Sequence, residues 1–171
     1  IDRKLKLNRS HGITRNRDFM EFPSDDIWYY EQIELGFNYR MTDMQAALGL
    51  SQLKKLDSFI ERRRDITRRY DDAFSKLEFA NLPQSSHEYR ESAGHHLYIL
   101  ELDFTKIGAT RAEVINELGA SNVGCQIHYI PIYHHPYYAK SLNLTANEFP
   151  NTENYYRQCL SIPIYPGMTE G

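Results

Sequence analysis

A capped junction between a polar loop and a long helical pattern constrains the fold of this chain more than any other feature. Residues 36–45 form the junction and read GFNYRMTDMQ. Thr42 and Gln45 stand at the spacing of a capping box, in which each side chain bonds the main-chain N–H of the other residue. Asp43 adds a negative charge to the first turn, where the end of a helix is positive. We therefore predict that a helix begins at this point.

Beyond the cap, apolar residues recur at three- and four-residue steps from Met44 to Leu77, and no proline interrupts them. This pattern predicts one long helix over residues 42–78, or two helices with a bend near Asp57 and Ser58. Unbent, a helix of about 36 residues would rise roughly 54 Å. Because that length exceeds the width of a small domain, we expect the helical region to bridge two packing units.

The bulk properties exclude several classes of protein. A chain of 171 residues can form one domain with its own core, or parts of two. A net charge of −3 argues against a nucleic-acid partner, because phosphate contacts need an excess of Lys and Arg. No apolar run reaches the length of a membrane span, and no signal peptide is visible. We therefore expect a soluble, cytoplasmic protein without a membrane partner, in which Cys125 and Cys159 are reduced.

The remaining segments predict a small α/β unit over residues 83–171, with helices packed on a sheet. Before the long helix, residues 1–10 predict a helix that Gly12 closes in the left-handed conformation. Further along, periodicity and turn residues predict strands at 96–102 and 123–130, helices at 110–118, 133–142 and 152–160, and an extended segment at 161–166.

The loop before the long helix carries the first group of candidate functional residues. Asn38, Tyr39 and Arg40 precede a helix amino terminus, where free amides and a fixed guanidinium suit a phosphate or carboxylate. The same residues could instead only brace the turn. His11, in the nearby sequence RSHG, could contact a ligand or could be a polar helix cap.

A second group follows the strand predicted at residues 123–130. His128 and Tyr129 stand at its end, and Tyr133, Tyr137 and Tyr138 follow within ten residues. These side chains could line a polar ligand pocket, or the tyrosines could be aromatics of the core and its rim. The neighbouring His134 and His135 point about 100° apart on a helix and have no ligand partner at a suitable spacing, so we predict no metal site.

A run of arginines between residues 62 and 69 lies in the middle of the predicted long helix. Glu61 and Asp65 stand at helical spacing from these arginines and can offset their charge. The run is therefore interpreted as a solvated helix face, with phosphate binding as the alternative.

Taken in order, these motifs resemble one family, the pyridoxal-phosphate-dependent aminotransferases that act on nucleotide-linked 4-keto sugars. The resemblance rests on RSHG at 9–12, GFNYRMTDMQAALG at 36–49, HLY at 96–98, HYIP at 128–131 and SIPIYP at 161–166. It covers nearly the whole chain. Residues 126–138 look most like the corresponding part of the transaminase of pseudaminic acid synthesis.

The resemblance implies part of a type I aminotransferase fold of the α/β class. Residues 1–50 would end the large cofactor domain, and residues 83–171 would form the small carboxy-terminal domain. The implied cofactor is pyridoxal 5'-phosphate, and the implied amino donor is L-glutamate. The implied substrate is a nucleotide-linked 4-keto-6-deoxy sugar, with a UDP-linked amino sugar favoured. The product, a 4-amino sugar, would serve surface polysaccharide or glycoconjugate biosynthesis, and the implied assembly is a homodimer with shared active sites.

The resemblance also assigns roles to individual residues. Asn38 matches the residue that contacts the cofactor phosphate of the neighbouring subunit. The residues placed near the substrate are Arg40, Tyr39, His128, Tyr129, Tyr137 and His11. In the family, the lysine that forms the Schiff base lies upstream of the Arg-x-His-Gly turn, and Lys4 and Lys6 do not match it. We therefore expect no catalytic residue in this chain and no activity from it alone. The alternative is a non-catalytic carbohydrate-binding or dimerisation module on the same scaffold.

Overall fold

The computed structural model describes residues 1–84 and 90–169, and the chain forms two compact units, Ile1–Lys54 and Lys55–Gly171. The regular elements of the first unit are α1 (Asp2–Asn8), β1 (Ile13–Thr14), β2 (Glu31–Gln32) and α2 (Asp43–Leu53). Those of the second unit are α3 (Leu56–Phe74), β3 (Ala80–Asn81), β4 (Tyr98–Leu102), α4 (Phe104–Ile107), α5 (Arg111–Ala120), α6 (Pro136–Leu142), α7 (Pro150–Gln158) and β5 (Cys159–Ile162).

Two glycines allow close backbone contact in the first unit. Gly12 takes the predicted left-handed conformation, with φ of +70°, and its N–H donates to the Leu7 carbonyl at 3.0 Å. The helix itself ends earlier than predicted, at Asn8, and Arg9 is its C-cap. A Cβ on Gly12 would lie 1.8 Å from the carbonyl oxygen of Glu34. A Cβ on Gly36 would lie 2.3 Å from the main-chain nitrogen of Gly12. The two backbone segments therefore meet at a distance that only glycine permits.

The helical pattern of residues 42–77 is two helices, α2 and α3, so the alternative of one unbroken helix is wrong. The break falls at Lys54 and Lys55, slightly before the predicted bend. The capping box at the start of α2 is confirmed: the Gln45 N–H donates to Thr42 Oγ1 at 3.3 Å, and the Thr42 N–H donates to Gln45 Oε1 at 2.9 Å.

The core of the second unit lies between an antiparallel sheet, in the order β3-β4-β5, and its helices. Along β4 the side chains alternate, and those of Tyr98, Leu100 and Leu102 are buried. Ile66 of α3 and Leu160 of β5 complete the centre of the core. Helices pack on a sheet, as predicted for residues 83–171, but the unit also includes α3 and β3, which precede residue 83.

A buried polar group lies inside this core. The Tyr98 side chain is fully buried, and its hydroxyl donates to Asp71 Oδ1 at 2.7 Å. Arg90 pairs with the other oxygen of the same carboxylate. Burial, together with the neighbouring Asp71, raises the pKa of the Tyr98 phenol well above its ordinary value. The contact satisfies two buried polar groups and links α3 to β4.

The strand predicted at residues 123–130 is wrong. Only Gln126 pairs with β5, through two main-chain hydrogen bonds with Ser161 of 3.1 and 2.8 Å. The flanking main chain is used elsewhere: the Val123 N–H donates to the Leu118 carbonyl at 2.8 Å, and the His128 carbonyl accepts from the Tyr155 hydroxyl at 2.9 Å. No ladder can therefore extend from the single bridge.

Two predicted helices have different limits from those expected. The segment 133–142 consists of a 3-10 turn, Ile132–His134, followed by α6, because the residue before Pro136 disfavours the helical conformation. The helix predicted at 152–160 begins earlier, at Pro150, and ends at Gln158. Cys159 and Leu160 belong to β5, where both side chains are buried.

The arginines of α3 contact acceptors within the chain. Arg68 forms ion pairs with Asp65 and Glu61, and Arg62 donates to the Met168 carbonyl at 2.7 Å. The charge of the run is offset locally, as predicted, but the face is not fully solvated, because Arg62, Arg63, Arg64 and Arg68 are half-buried. Within residues 1–84 and 90–169, no helix combines the length and the apolar character needed to cross a membrane.

Candidate functional site

The loop that carries Asn38 lies alongside the turn that contains His11. The Phe37 N–H donates to the Asn8 carbonyl at 2.6 Å, and the His11 N–H donates to the Phe37 carbonyl at 2.8 Å. The Tyr39 N–H donates to the Arg9 carbonyl at 2.9 Å. Hydrogen bonds thus join the motifs RSHG and GFNYR, which are separated in sequence, into one structure within the first unit.

Asn38 lies at the centre of this pairing, opposite Ser10. Its neighbours Phe37 and Tyr39 direct their N–H groups toward the turn, so the Asn38 N–H points the other way. Within the described part of the chain, neither this N–H nor the Asn38 carboxamide makes a hydrogen bond, and the residue is exposed. Asn38 therefore offers two kinds of donor to a molecule outside this unit.

Arg40 and two other predicted residues lie beside Asn38. Arg40 is exposed, and its Nε donates to Ser10 Oγ at 3.3 Å, which leaves the terminal nitrogens of the guanidinium available. The Tyr39 ring stacks on Phe37 with centroids 5.0 Å apart and stays 74% exposed. His11 is half-buried with φ of +62°, and its carbonyl accepts from Gln32 Nε2 at 2.9 Å. The structure brings all four predicted residues of this unit together.

This donor set fits an anionic group. Amide N–H groups and an arginine are the usual ligands of phosphate and carboxylate oxygens, and their charge-assisted hydrogen bonds are the stronger kind. The close contact of Gly12 and Gly36 fixes the spacing of the turn and the loop that carry the donors. The residues present can therefore hold the phosphate of a cofactor.

His128, the main candidate of the second unit, is held by β5 and α7. Its Nδ1 lies 2.8 Å from Ser161 Oγ, and its carbonyl accepts from the Tyr155 hydroxyl at 2.9 Å. The ring is half-buried and lines a depression of about 200 Å³ together with His96 and Gln126. The geometry gives the imidazole a fixed position at a solvent-accessible hollow.

Glu153 anchors the segment that follows His128. Its Oε1 accepts from the Tyr133 hydroxyl at 2.9 Å and lies 2.6 Å from His134 Nε2. These two hydrogen bonds lower the pKa of the Glu153 carboxyl, with the bond from His134 the larger cause. Tyr133 also stacks on Phe149, with ring centroids 4.8 Å apart. The 3-10 turn before α6 is thereby fixed to α7.

The other aromatic candidates remain accessible. Tyr129 is 72% exposed and Tyr137 is 77% exposed, whereas the Tyr133 ring is half-buried. Tyr138 meets Tyr137 edge-on, with ring centroids 5.2 Å apart. The sequence left open whether these tyrosines are core aromatics or pocket residues. The structure separates them: Tyr133 packs inside the unit, and Tyr129 and Tyr137 present their rings outward.

Three residues with a part in this geometry were not identified from the sequence: Ser161, Tyr155 and Glu153. Ser161 stands in the quoted motif SIPIYP, so its position carried a signal, although its partner His128 is 33 residues away. Glu153 and Tyr155 carried no comparable signal. Across residues 1–84 and 90–169, no group of three or more His, Cys, Asp or Glu side chains is arranged to bind a metal ion.

The chain as a whole matches a known protein family. A model of the DegT/DnrJ/EryC1/StrS aminotransferase family matches residues 1–171. The chain belongs to this family. The spore coat polysaccharide biosynthesis protein SpsC of Bacillus subtilis is 39% identical over 168 residues, which cover 98% of this chain and 42% of the relative.

Two further proteins show the same likeness. A UDP-4-amino-4,6-dideoxy-N-acetyl-beta-L-altrosamine transaminase of Campylobacter jejuni is 37% identical over 165 residues, 96% of this chain and 40% of the relative. The structure of Helicobacter pylori PseC, an aminotransferase involved in the biosynthesis of pseudoaminic acid, superposes with a TM-score of 0.83 and 25% identity, covering 98% of this chain and 42% of PseC. The chain thus spans about two fifths of the length of these relatives. The predicted family and the α/β aminotransferase fold class are confirmed.

Proposed function

We propose that this chain is the carboxy-terminal part of a pyridoxal-phosphate-dependent aminotransferase. In this proposal the enzyme converts a nucleotide-linked 4-keto-6-deoxy sugar to the 4-amino sugar, with L-glutamate as the amino donor. The observation that carries the proposal is the pairing of the RSHG turn with the GFNYR loop, which leaves the donors of Asn38 without partners inside the described chain.

The names of the relatives support the choice of substrate class. One relative is a UDP-amino-sugar transaminase, and another is a polysaccharide biosynthesis protein. We therefore favour a UDP-linked amino sugar and a role in surface polysaccharide or glycoconjugate biosynthesis. The proposed enzyme is a cytoplasmic homodimer with shared active sites.

Within this proposal, Asn38 holds the phosphate of the cofactor. Its carboxamide and main-chain N–H donate to phosphate oxygens, and Arg40 adds positive charge nearby. The cofactor, when bound, supplies the electron sink that amino transfer requires. Asn38 itself has no acid or base role in this proposal, so its contribution is to bind and to orient.

In the second unit, the proposed substrate contacts are His128, Tyr129 and Tyr137. His128 donates a hydrogen bond to the sugar nucleotide, and the exposed rings of Tyr129 and Tyr137 cover its flat or apolar surfaces. In the first unit, Arg40, Tyr39 and His11 are proposed to contact the substrate from their places beside Asn38.

The reactive lysine is proposed to lie on polypeptide outside this sequence. Lys6, close to the RSHG turn, forms an ion pair with Asp2 at 2.8 Å on the exposed face of α1, where it can serve the helix. Within this proposal we expect this chain alone to show no amino transfer, and we expect activity from the complete encoded protein.

The proposal is tested on the complete protein with variants of Asn38. Asn38→Ala removes the carboxamide donor, so we expect cofactor affinity to fall about tenfold, the value of one hydrogen bond to a charged group. Asn38→Asp keeps the size but places a carboxylate beside the phosphate, and it should weaken binding further. The control Asn147→Ala removes an exposed amide from a 3-10 turn of the second unit and should change nothing.

Cofactor affinity is measured by dialysis followed by the visible absorption of the bound cofactor, and the 4-amino product is measured by mass spectrometry. Equal retention of the cofactor by the wild type and both Asn38 variants would remove Asn38 from the phosphate site. A complete protein that binds no pyridoxal phosphate would favour the alternative of a non-catalytic module.

A further inference from the structure

Among the described residues, the hydroxyl of Ser161 is the only side-chain hydrogen-bond partner of the His128 imidazole. Ser161 lies on β5 with 4% of its surface exposed, and its Oγ is 2.8 Å from His128 Nδ1. The main chain of Ser161 is fixed as well, because it exchanges two hydrogen bonds with Gln126. The hydroxyl therefore reaches the imidazole from a rigid part of the core sheet.

Tyr155 holds the backbone of the same histidine. Its hydroxyl donates to the His128 carbonyl at 2.9 Å, and burial raises the pKa of the Tyr155 phenol. The phenol therefore keeps its proton at the pH of an ordinary assay and remains a donor. With the side chain held by β5 and the carbonyl held by α7, His128 has little freedom to turn.

Hydrogen-bond requirements select one tautomer of His128. Burying a hydroxyl costs free energy when its hydrogen finds no acceptor to replace the water that it leaves. Within the described residues, the Ser161 side chain has one hydrogen-bond partner, His128 Nδ1. The hydroxyl satisfies its hydrogen only if Nδ1 accepts, and this places the ring proton of the neutral imidazole on Nε2. The other tautomer would leave the Ser161 hydrogen without an acceptor among the described residues.

The surroundings of the ring determine which kind of acceptor the His128 Nε2–H can bind. In the part of the chain that the structure describes, Nε2 makes no hydrogen bond, and the depression that His128 lines has no Asp, Glu, Lys or Arg among its lining residues. Its volume of about 200 Å³ is smaller than a site for a whole drug-sized ligand, so it suits one substituent of a larger molecule. An N–H donor in such a place recognises an uncharged oxygen.

We propose that Ser161 is a positioning residue that fixes His128 as the Nε2–H tautomer, so that His128 donates to a hydroxyl or carbonyl oxygen of the nucleotide-linked sugar. This inference rests on the proposed function for the identity of the ligand. The assignment of the tautomer rests on the contacts within the second unit alone.

The tautomer is tested by nitrogen NMR of the complete protein labelled at histidine, with the His128 signal identified by its loss in His128→Gln. The proposal expects the Nε2–H pattern in the wild type and a mixture of tautomers in Ser161→Ala. The Nδ1–H pattern in the wild type would overturn it. This readout needs no substrate and no activity, so it remains decisive if the proposed function fails.

The effect on recognition is tested by measuring the two half-reactions separately. With L-glutamate alone, the spectral change of the cofactor should proceed within about twofold of the wild-type rate in Ser161→Ala. With the sugar nucleotide, the same variant should lose about tenfold in kcat/KM, the size expected for one misdirected hydrogen bond. Ser161→Thr keeps the hydroxyl and should restore most of the loss, and Ser121→Ala, an exposed serine at the end of α5, should match the wild type.

A double variant separates positioning from simple loss of stability. If Ser161 acts through His128, Ser161→Ala should cause no further loss in a His128→Gln background. Additive losses, or an unchanged reaction of Ser161→Ala with the sugar nucleotide, would refute the inference. Absence of amino transfer in every protein, with the cofactor bound and the Nε2–H tautomer present, would instead refute the proposed function and leave the tautomer assignment standing.

Discussion

Replacing Gly12 by alanine tests whether the close contact of two backbones supports the candidate phosphate site. The new Cβ would lie 1.8 Å from the Glu34 carbonyl oxygen, so the backbone must move. A residue with a Cβ at φ of +70° costs about 1 to 2 kcal/mol, and forced overpacking costs about 1 to 3 kcal/mol more. We therefore expect Gly12→Ala to lower the free energy of unfolding by about 2 to 5 kcal/mol and to displace Asn38 from its pairing with Ser10.

Gly108→Ala is the matched control for this change. Gly108 has nearly the same φ, +74°, but a Cβ there would meet no atom within 4 Å. Gly108→Ala should therefore lower the free energy of unfolding only by the cost of the left-handed conformation, about 1 to 2 kcal/mol. Unfolding is followed by urea titration with circular dichroism, and cofactor retention by visible absorption, both on the complete protein. Equal destabilisation by the two variants, or full cofactor retention in Gly12→Ala, would refute the role assigned to the close contact.

Two further predictions concern the second unit. Tyr98→Phe removes a donor from the buried Asp71 carboxylate and should lower the free energy of unfolding by about 1 to 3 kcal/mol, measured by urea titration. The control Tyr70→Phe loses one hydrogen bond to the Pro163 carbonyl and should lower it by about 1 kcal/mol. Equal losses in the two variants would contradict the role of the buried network. The pKa of the Glu153 carboxyl is lower in the folded protein than in a free glutamate. The ionised carboxylate therefore stabilises the fold at pH values above the ordinary pKa, and this stabilisation is lost as the pH falls through the lower folded pKa. Glu153→Gln should therefore flatten the decline of unfolding free energy below about pH 4.5, and an unchanged pH profile would show that the carboxylate does not anchor the turn.

Local signals in the sequence were sufficient to place the helix caps. Thr42 and Gln45 form the predicted capping box, because a capping box involves residues only three apart, and Thr110 with Glu113 forms a second one at the start of α5. The Asn38 loop and the RSHG turn were identified separately from their residue types. Their pairing was not visible in the periodicity, because it depends on hydrogen bonds across about 30 residues.

Long-range contacts explain the predictions that failed. In the segment 123–130, burial follows the expected alternation from Val123 to Ile127, yet a strand also needs a partner along its whole length, and only Gln126 has one. Glu153 stands on α7 without any motif around it, and its two partners lie about 20 residues away. Such side-chain networks depend on packing in three dimensions, so local motifs and periodicity in the sequence do not predict them.

The most direct test of the central claim is the structure of the complete protein with pyridoxal phosphate bound. The account predicts that the Asn38 carboxamide nitrogen lies within hydrogen-bonding distance, about 2.7 to 3.2 Å, of a phosphate oxygen of the cofactor. A distance beyond about 6 Å, with another residue binding the phosphate, would contradict the account.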